Sequence, residues 1–426
     1  MAAEIVERTE SSVTIQVKIA IGRSMLRTEE EILEGVNEVG RLATQETLSQ
    51  FDADGSPIEI CGVRMTSKGQ QSEYYQTPYG EVHVDRHVYQ TSRGGKTFCP
   101  MEREARLVLN STPRLAKMVS FKYSTVGANM VCRDFAESHG RRISRGYVKD
   151  LSEAVGVIAE AKEETWSYAL PDLDQPVASI SLGLDGTCML LVEDGWREAM
   201  AGTIAFFDRE GNRMHTIYMG ASPEYGKERF RDRFSREIDR VQETFPEALY
   251  VGLADGSPDN WNFLAGYVDR EVLDFYHASE YVGNAAEAVF GKRRSQREEW
   301  LSDRLHRLKH KQGAAKRLLA EMKESMDDVK GEDRREKLND SIRYFENQHP
   351  KMGYAKQVGE NLPIGSGITE AACKVLVKQR LCNSGMRWKE RGASLVLSIR
   401  ALVLTENRWD QFWNRIDRYG VPACNN

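Results

Sequence analysis

Two runs of this chain set an aspartate beside a glycine on an apolar, β-leaning background. ASISLGLDGTCMLLV, residues 178 to 192, carries Asp185, and ALYVGLADGS carries Asp255. A strand bounded by Val177 and Val192 belongs mid-sheet, where an unpaired carboxylate is costly. Asp-Gly is also a common hairpin signal, and either acid taken alone reads first as a turn. Two strands of the same design point instead to acids that hold a metal. A third acid comes from NLPIGSGITEAACKVLVKQRLCNSGMRWKERGA. There Pro363, Gly365, Ser366 and Gly367 form a loop that opens a helix at about Ile368. Ile368, Ala371, Ala372, Val375 and Leu376 keep the spacing of a buried stripe. Glu370 falls off that stripe in the first turn, and Lys374 and Lys378 follow on its face. Such an acid can simply complement the helix dipole. Trailed by lysines beside a glycine loop, it also suits a metal and a phosphate backbone.

Asp185, Asp255 and Glu370 are hard oxygen ligands of the kind that hold two divalent cations, Mg²⁺ with Mn²⁺ as a substitute, around a scissile phosphate. One ion would lower the pKa of an attacking water or 3′-hydroxyl, and the other would stabilise the leaving oxygen. Without ions the acids repel one another, so metal binding should stay weak until DNA adds its phosphates.

A chain of 426 residues can form two or three domains with real cores. The net charge of −5 does not argue for nucleic acid, so that argument must come from where the charge sits. No apolar run approaches the roughly 18 residues of a membrane span, and MAAEIVERTE is too acidic for a signal peptide. The cysteines (Cys61, Cys99, Cys132, Cys188, Cys373, Cys382, Cys424) are scattered without a CxxC pair, which fits a reducing cytoplasm.

The elements that must position the acids can be read in order. Residues 1–108 form an α+β region: a strand in SSVTIQVKIAIG, a helix from about Thr28 to Phe51, then strands in PIEICGVRM, SEYYQTPYG, EVHVDRHVYQT and KTFCPM. His83 and His87 with Cys61 or Cys99 match no zinc template. Residues 109–172 turn helical, and the HGRR break before a helix starting near Ser144 has the turn chemistry of a helix-turn-helix, closed by a PDLDQP linker. Arg141, Arg142, Arg145 and Lys149 cluster there, and Tyr147 could lie on a phosphate; a three-helix bundle with a solvated basic turn fits equally. Residues 173–283 give three hairpin-joined strands, then helix, strand, a short helix from Pro258 and the strand EVLDFYHASEY. That order is the order of an RNase H-like α/β fold, a mixed five-stranded sheet with flanking helices, whose first and fourth strands are central neighbours. Asp185 and Asp255 would then share one cleft. Residues 284–349 form a basic helical insertion containing Lys292, Arg293, Arg294 and Arg297, which suits phosphate contacts or a solvated helix pair. Residues 350–426 return to the core with its last helices.

GLDGT, GLADGS, DFYHASEY and PIGSGITEAACK…SGMRW, in this order, resemble the blocks of the DDE transposases of bacterial insertion sequences, and of the ISKra-type family in particular. TPYGEVHVDRHVYQ and GGKTFCPME resemble that family's N-terminal region, so the likeness covers most of the chain. The resemblance implies a catalytic and metal-binding triad of Asp185, Asp255 and Glu370 and an all-helical insertion before the Glu. It also implies double-stranded DNA partners, namely terminal inverted repeats and target DNA, with 3′-end cleavage and strand transfer. A homodimer or larger synaptic oligomer, located in the bacterial cytoplasm at the nucleoid, goes with that activity. Asp274 and His277 resemble an Asp-x-x-His block near such active sites and could support the second Asp or touch a nucleotide. Arg387 and Trp388 could clamp or stack on DNA, or the Trp could pack terminal helices. A silent DNA-binding relative, an RNase H-fold nuclease without strand transfer, and a metal-free two-carboxylate hydrolase are the competing expectations.

Overall fold

The computed structural model describes residues 3–163, 165–224 and 227–420. It divides into two compact units, Met1–Tyr168 with Ser398–Val403 and the segment from Asn407, and Ala169–Leu397 with Leu404–Glu406. Among the described residues no helix is long and apolar enough to cross a membrane.

In the first unit, β1 (Ala3–Arg8) and β2 (Val13–Val17) form a hairpin followed by helix α1 (Met25–Ser49). An antiparallel sheet then runs β3 (Ile58–Ile60), β4 (Val63–Gln76), β5 (Glu81–Thr91) and β6 (Gly94–Phe98). PIEICGVRM is therefore not one strand. Cys61 (φ 50°) and Gly62 (φ 77°) turn the chain inside it, and the remainder runs on as β4 through a bulge between Ser67 and Gln70. Val82, Val84 and Val88 of β5 alternate inward, as the period of a strand requires. His87 Nδ1 lies 2.8 Å from Asp52 Oδ2, and His83 stacks on Tyr74, so each ring has a protein partner. Four helices follow: α2 (Pro100–Glu104), α3 (Pro113–Thr125), α4 (Ala128–His139) and α5 (Arg145–Lys162). Gly140, at φ 60°, closes α4, and the Ser144 hydroxyl accepts the Tyr147 amide to open α5 at the expected place.

The second unit is built on a mixed five-stranded sheet. β7 (Ser179–Leu191), β8 (Gly195–Phe207) and β9 (Arg213–Ala221) are joined as antiparallel hairpins. Helix α6 (Glu228–Thr244) then leads to β10 (Leu249–Ala254), helix α7 (Pro258–Leu264) and β11 (Arg270–Leu273). Both β10 and β11 run parallel, with β10 beside β7, giving the order β11-β10-β7-β8-β9. Phe230, Phe234, Ile238 and Val241 give α6 one apolar face, and the first two lie where a side chain on Gly202 would point.

Helices α8 (Phe275–Phe290), α9 (Arg294–His310), α10 (Ala314–Glu324) and α11 (Glu332–Gln348) fill the stretch between β11 and the Glu370 segment. EVLDFYHASEY is thus strand only to Leu273. Asp274 caps α8 by accepting the His277 amide, and a capping Asp ends the strand where alternation alone would continue it. The chain continues through α12 (Tyr354–Gly359), α13 (Gly367–Ala372), a π-helical stretch (Cys373–Lys378), α14 (Gln379–Leu381) and α15 (Glu390–Leu404). The last helix, α16 (Arg408–Tyr419), buries Trp409, Phe412, Trp413 and Ile416 in the first unit, where Phe412 meets Trp166. Residues 350–426, grouped with the core on sequence, are therefore divided between the two units.

Candidate active site

Asp185 is a residue of β7 itself, paired opposite Ala201, and not a turn. Strand residues two apart share a face. Gly183 therefore points the same way as Asp185, and a Cβ there would collide with the Thr369 hydroxyl of α13. The empty position lets α13 lie directly on β7, where Thr369 and Thr203 share a buried hydroxyl–hydroxyl bond of 2.7 Å. This close seating brings the start of the third segment against Asp185. The Cys373 thiol donates to Asp185 Oδ2 at 3.6 Å, and the Gly186 amide donates to Oδ1 at 2.7 Å.

Asp255 follows the last residue of β10, the strand parallel to β7. Its Oδ1 accepts the Ser257 amide at 3.1 Å and lies 3.4 Å from the Asn260 side-chain amide, which also reaches Leu184 O. Glu370 is exposed in the first turn of α13, with Oε1 accepting the Ser366 hydroxyl at 2.9 Å. Burial pushes the Asp185 carboxyl above the usual carboxylate range, and the charges of Asp255 and Glu370 push it further the same way. A carboxylate repelled by two others belongs to a donor set that fits divalent cations. Burial likewise raises the Cys373 thiol, so it stays a donor beside Asp185.

An open cleft of about 550 Å³ is lined by Asp185, Gly186, Thr187, Glu370 and Cys373 together with Lys374, Lys378, Gln379 and Asn383, while Asp255 is not among its lining residues. Glu370, Lys374 and Lys378 share this cleft because the helix widens into the π form after Ala372, countering the drift of every fourth residue around an α-helix. The buried positions here are Thr369, Ala372, Cys373, Leu376 and Val377. Ala371, expected inward, is exposed, because Thr369 takes the inward place through its bond to Thr203.

Asp274 and His277 do lie beside the site. Ligand atoms of Asp274, His277 and Glu370 all fall within 4.8 Å of one another. Asp274 is fully buried, however, and both oxygens are occupied: Oδ1 accepts the His277 amide and Oδ2 the Ser366 amide. It ties the end of β11 to the loop that presents Glu370. Sequence patterning had no means of finding that Ser366 links the two acids, through its amide to Asp274 and its hydroxyl to Glu370.

The expected DNA-contacting residues divide. Arg142, Arg145 and Lys149 are exposed around the start of α5. Arg141 is not available in the same way: its guanidinium turns inward to Gln76 Oε1 and Thr77 O. Tyr147 is largely buried too, and burial pushes its hydroxyl up to about 12. In the helical region Arg294 pairs with Glu298, Arg304 with Glu321, and Arg307 with Asp303, while Arg293 bonds the Val289 and Phe290 carbonyls. Exposed pairs are weak, so they reduce the net field there rather than lock the side chains. Lys292, Arg294 and Arg297 line a second cleft of about 540 Å³ with Arg334 and Lys337. Arg387 is exposed, whereas Trp388 is held against the end of β7: its amide donates to Leu190 O and its indole N–H to Leu381 O. With Arg380 over its ring, the half-buried Trp388 packs against the protein, as the alternative expectation had it.

Among known proteins, no family model matches this chain and no curated protein matches it.

Proposed function

We propose that this chain is a metal-dependent DNA transposase of the DDE class, acting on the terminal inverted repeats of an insertion sequence through an RNase H-like core. The observation that carries the reading is that Asp185, on a central strand, lies near enough to Asp255 and to Glu370, both distant in sequence, for each of their charges to act on it. The strand order of the second unit supports it, because it makes the first and fourth strands of the core parallel neighbours.

Asp185, Asp255 and Glu370 would hold the two divalent cations, Mg²⁺ or Mn²⁺. Bound there, the ions supply activation of the attacking hydroxyl and stabilisation of the leaving oxygen. The chain's own work is to aim the acids. The Gly186 amide and Cys373 thiol fix Asp185, the Ser257 amide fixes Asp255, and the Ser366 hydroxyl fixes Glu370. Lys374 and Lys378 set positive charge along the same cleft, where a phosphate backbone would pass. Arg142, Arg145 and Lys149 fit end recognition by the helix-turn-helix, and two or more copies would hold paired ends.

The test is incubation of the full chain with Mg²⁺ and the DNA that brackets its reading frame. Nicks at inverted-repeat ends and joined products are expected. Asp185→Ala, Asp255→Ala and Glu370→Ala should each abolish both products and leave DNA binding largely intact. Cleavage without joining would replace the transposase with a nuclease on the same core, and binding without any cleavage would leave only a DNA-binding protein. Cleavage that survives chelation would remove the metal from the proposal.

A further inference from the structure

The helical stretch between the second and third acids does more in this structure than present basic side chains. Its last helix, α11, ends against the loop that carries Asp255. The Tyr344 hydroxyl donates to Asp255 O at 3.2 Å, and the Gln348 side-chain amide donates to Gly256 O at 3.1 Å. The two residues are one helical turn apart, so both reach the same loop from one face. Tyr344 is itself held by a close parallel stack on Tyr281 of α8, with ring centroids 3.7 Å apart and planes 9° apart. Gly256 has φ 106°, and a Cβ on it would stand 3.3 Å from the Gln348 amide. The loop is thus bent into a conformation that glycine favours and fastened from behind at two consecutive carbonyls.

We propose that Tyr344 and Gln348 are positioning residues for Asp255, so that α11 forms the rear wall of the candidate metal site. The inference rests on the reading of Asp255 as a metal ligand. It gives the helices between Asp255 and Glu370 a part in building the site as well as in contacting DNA. Neither residue reaches the cleft lining, and neither is a ligand; each acts only through the Asp255 loop.

The experiment uses the full chain carrying Tyr344→Phe, Gln348→Met, or both; Phe keeps the stack on Tyr281 and Met keeps the volume of Gln. Hydrogen exchange of the Asp255, Gly256 and Ser257 amides is followed without metal, and Mn²⁺ binding is followed by electron paramagnetic resonance. Faster exchange at those amides is expected, together with a rise in the half-saturating Mn²⁺ concentration of about three- to tenfold for the double variant. Circular dichroism should stay that of the wild type, and metal-free duplex affinity should not move. Unchanged exchange and unchanged Asp255-dependent Mn²⁺ binding would overturn the proposal. Mn²⁺ binding that Asp255→Asn fails to weaken would instead remove the metal-site reading, and faster loop exchange would still separate that failure from failure of the fastening itself.

Discussion

Asp185-Gly186 and Asp255-Gly256 look alike in sequence and solve different problems in the fold. Asp185 sits inside a strand, half buried at the edge of the cleft, so its carboxylate bears a cost of burial directly. Gly186 beside it is extended; the atoms nearest a Cβ there belong to the side chain of Glu198, which pairs with Lys227 and is half exposed. Asp255 lies just beyond a strand end, in a bend where Gly256 takes a left-handed conformation and the next amide folds back onto the carboxylate. One acid is placed by the sheet and the other by a turn that neighbouring helices hold. The glycine that matters for the first acid is Gly183, two residues earlier, which lets the third acid approach.

The largest effect should come from removing the charge at each acid. Asp185→Asn and Asp255→Asn are both expected to abolish cleavage, but they should part in metal-free stability. The folded-state pKa of Asp185 is raised, so between the ordinary carboxylate value and the raised one the folded protein binds more protons than the unfolded chain. Stability therefore falls as pH rises through that window, and above it the folded protein carries the cost of the buried charge. Asp185→Asn should raise the metal-free melting temperature at neutral pH and flatten its dependence on acid pH. Asp255→Asn should not raise the melting temperature, because its carboxylate serves the turn by accepting the Ser257 amide. Thermal melts from pH 4 to 8 without metal check both, and equal behaviour of the two variants would erase the distinction drawn above.

Next in size is Gly183→Ala. The added methyl meets the Thr369 hydroxyl, which is buried and bonded to Thr203 and so cannot swing away. Overpacking of this kind costs about 1–3 kcal/mol, and here the strain falls on the helix that carries Glu370. A lowered melting temperature and a severe loss of cleavage are expected, with partial recovery of both when Thr369→Ala removes the obstructing hydroxyl. Failure of the second substitution to restore anything would mean that α13 is not seated through this contact.

How far the sequence disclosed this arrangement depended on the kind of signal. Asp185 and Asp255 stood out because an acid in an apolar strand is costly, and hairpin and helix periodicity gave the order of elements around them. The start of α5 was legible because Ser144 is a good N-cap. What failed was whatever depends on partners far along the chain. Arg141 has the chemistry of a DNA contact, but Gln76 and Thr77, remote in sequence, claim its guanidinium. Asp274 was visible as an acid, yet its burial and its bond to Ser366 follow from tertiary packing that periodicity does not encode. The basic stretch over α9 was legible as charge and not as pairing, since Glu321 answers Arg304 from the next helix.

The smallest pair of effects separates the two Asp-Gly glycines most directly. Gly256→Ala forces a side chain into a φ of 106°, a strained conformation that costs about 1–3 kcal/mol whatever space surrounds it. Gly186→Ala displaces the exposed Glu198 side chain from its Cγ outward and gives up its ion pair with Lys227, so the change should stay smaller, about 0.5–1 kcal/mol. Chemical denaturation of the two variants side by side measures the difference. Cleavage should follow stability at Gly256, because the same bend carries Asp255 and is fastened by Gln348, whereas Gly186→Ala should cleave at close to the normal rate. A Gly186 variant as damaged as the Gly256 variant would show that the strand around Asp185 tolerates no side chain at that point. The two acids would then depend on their glycines in the same way after all.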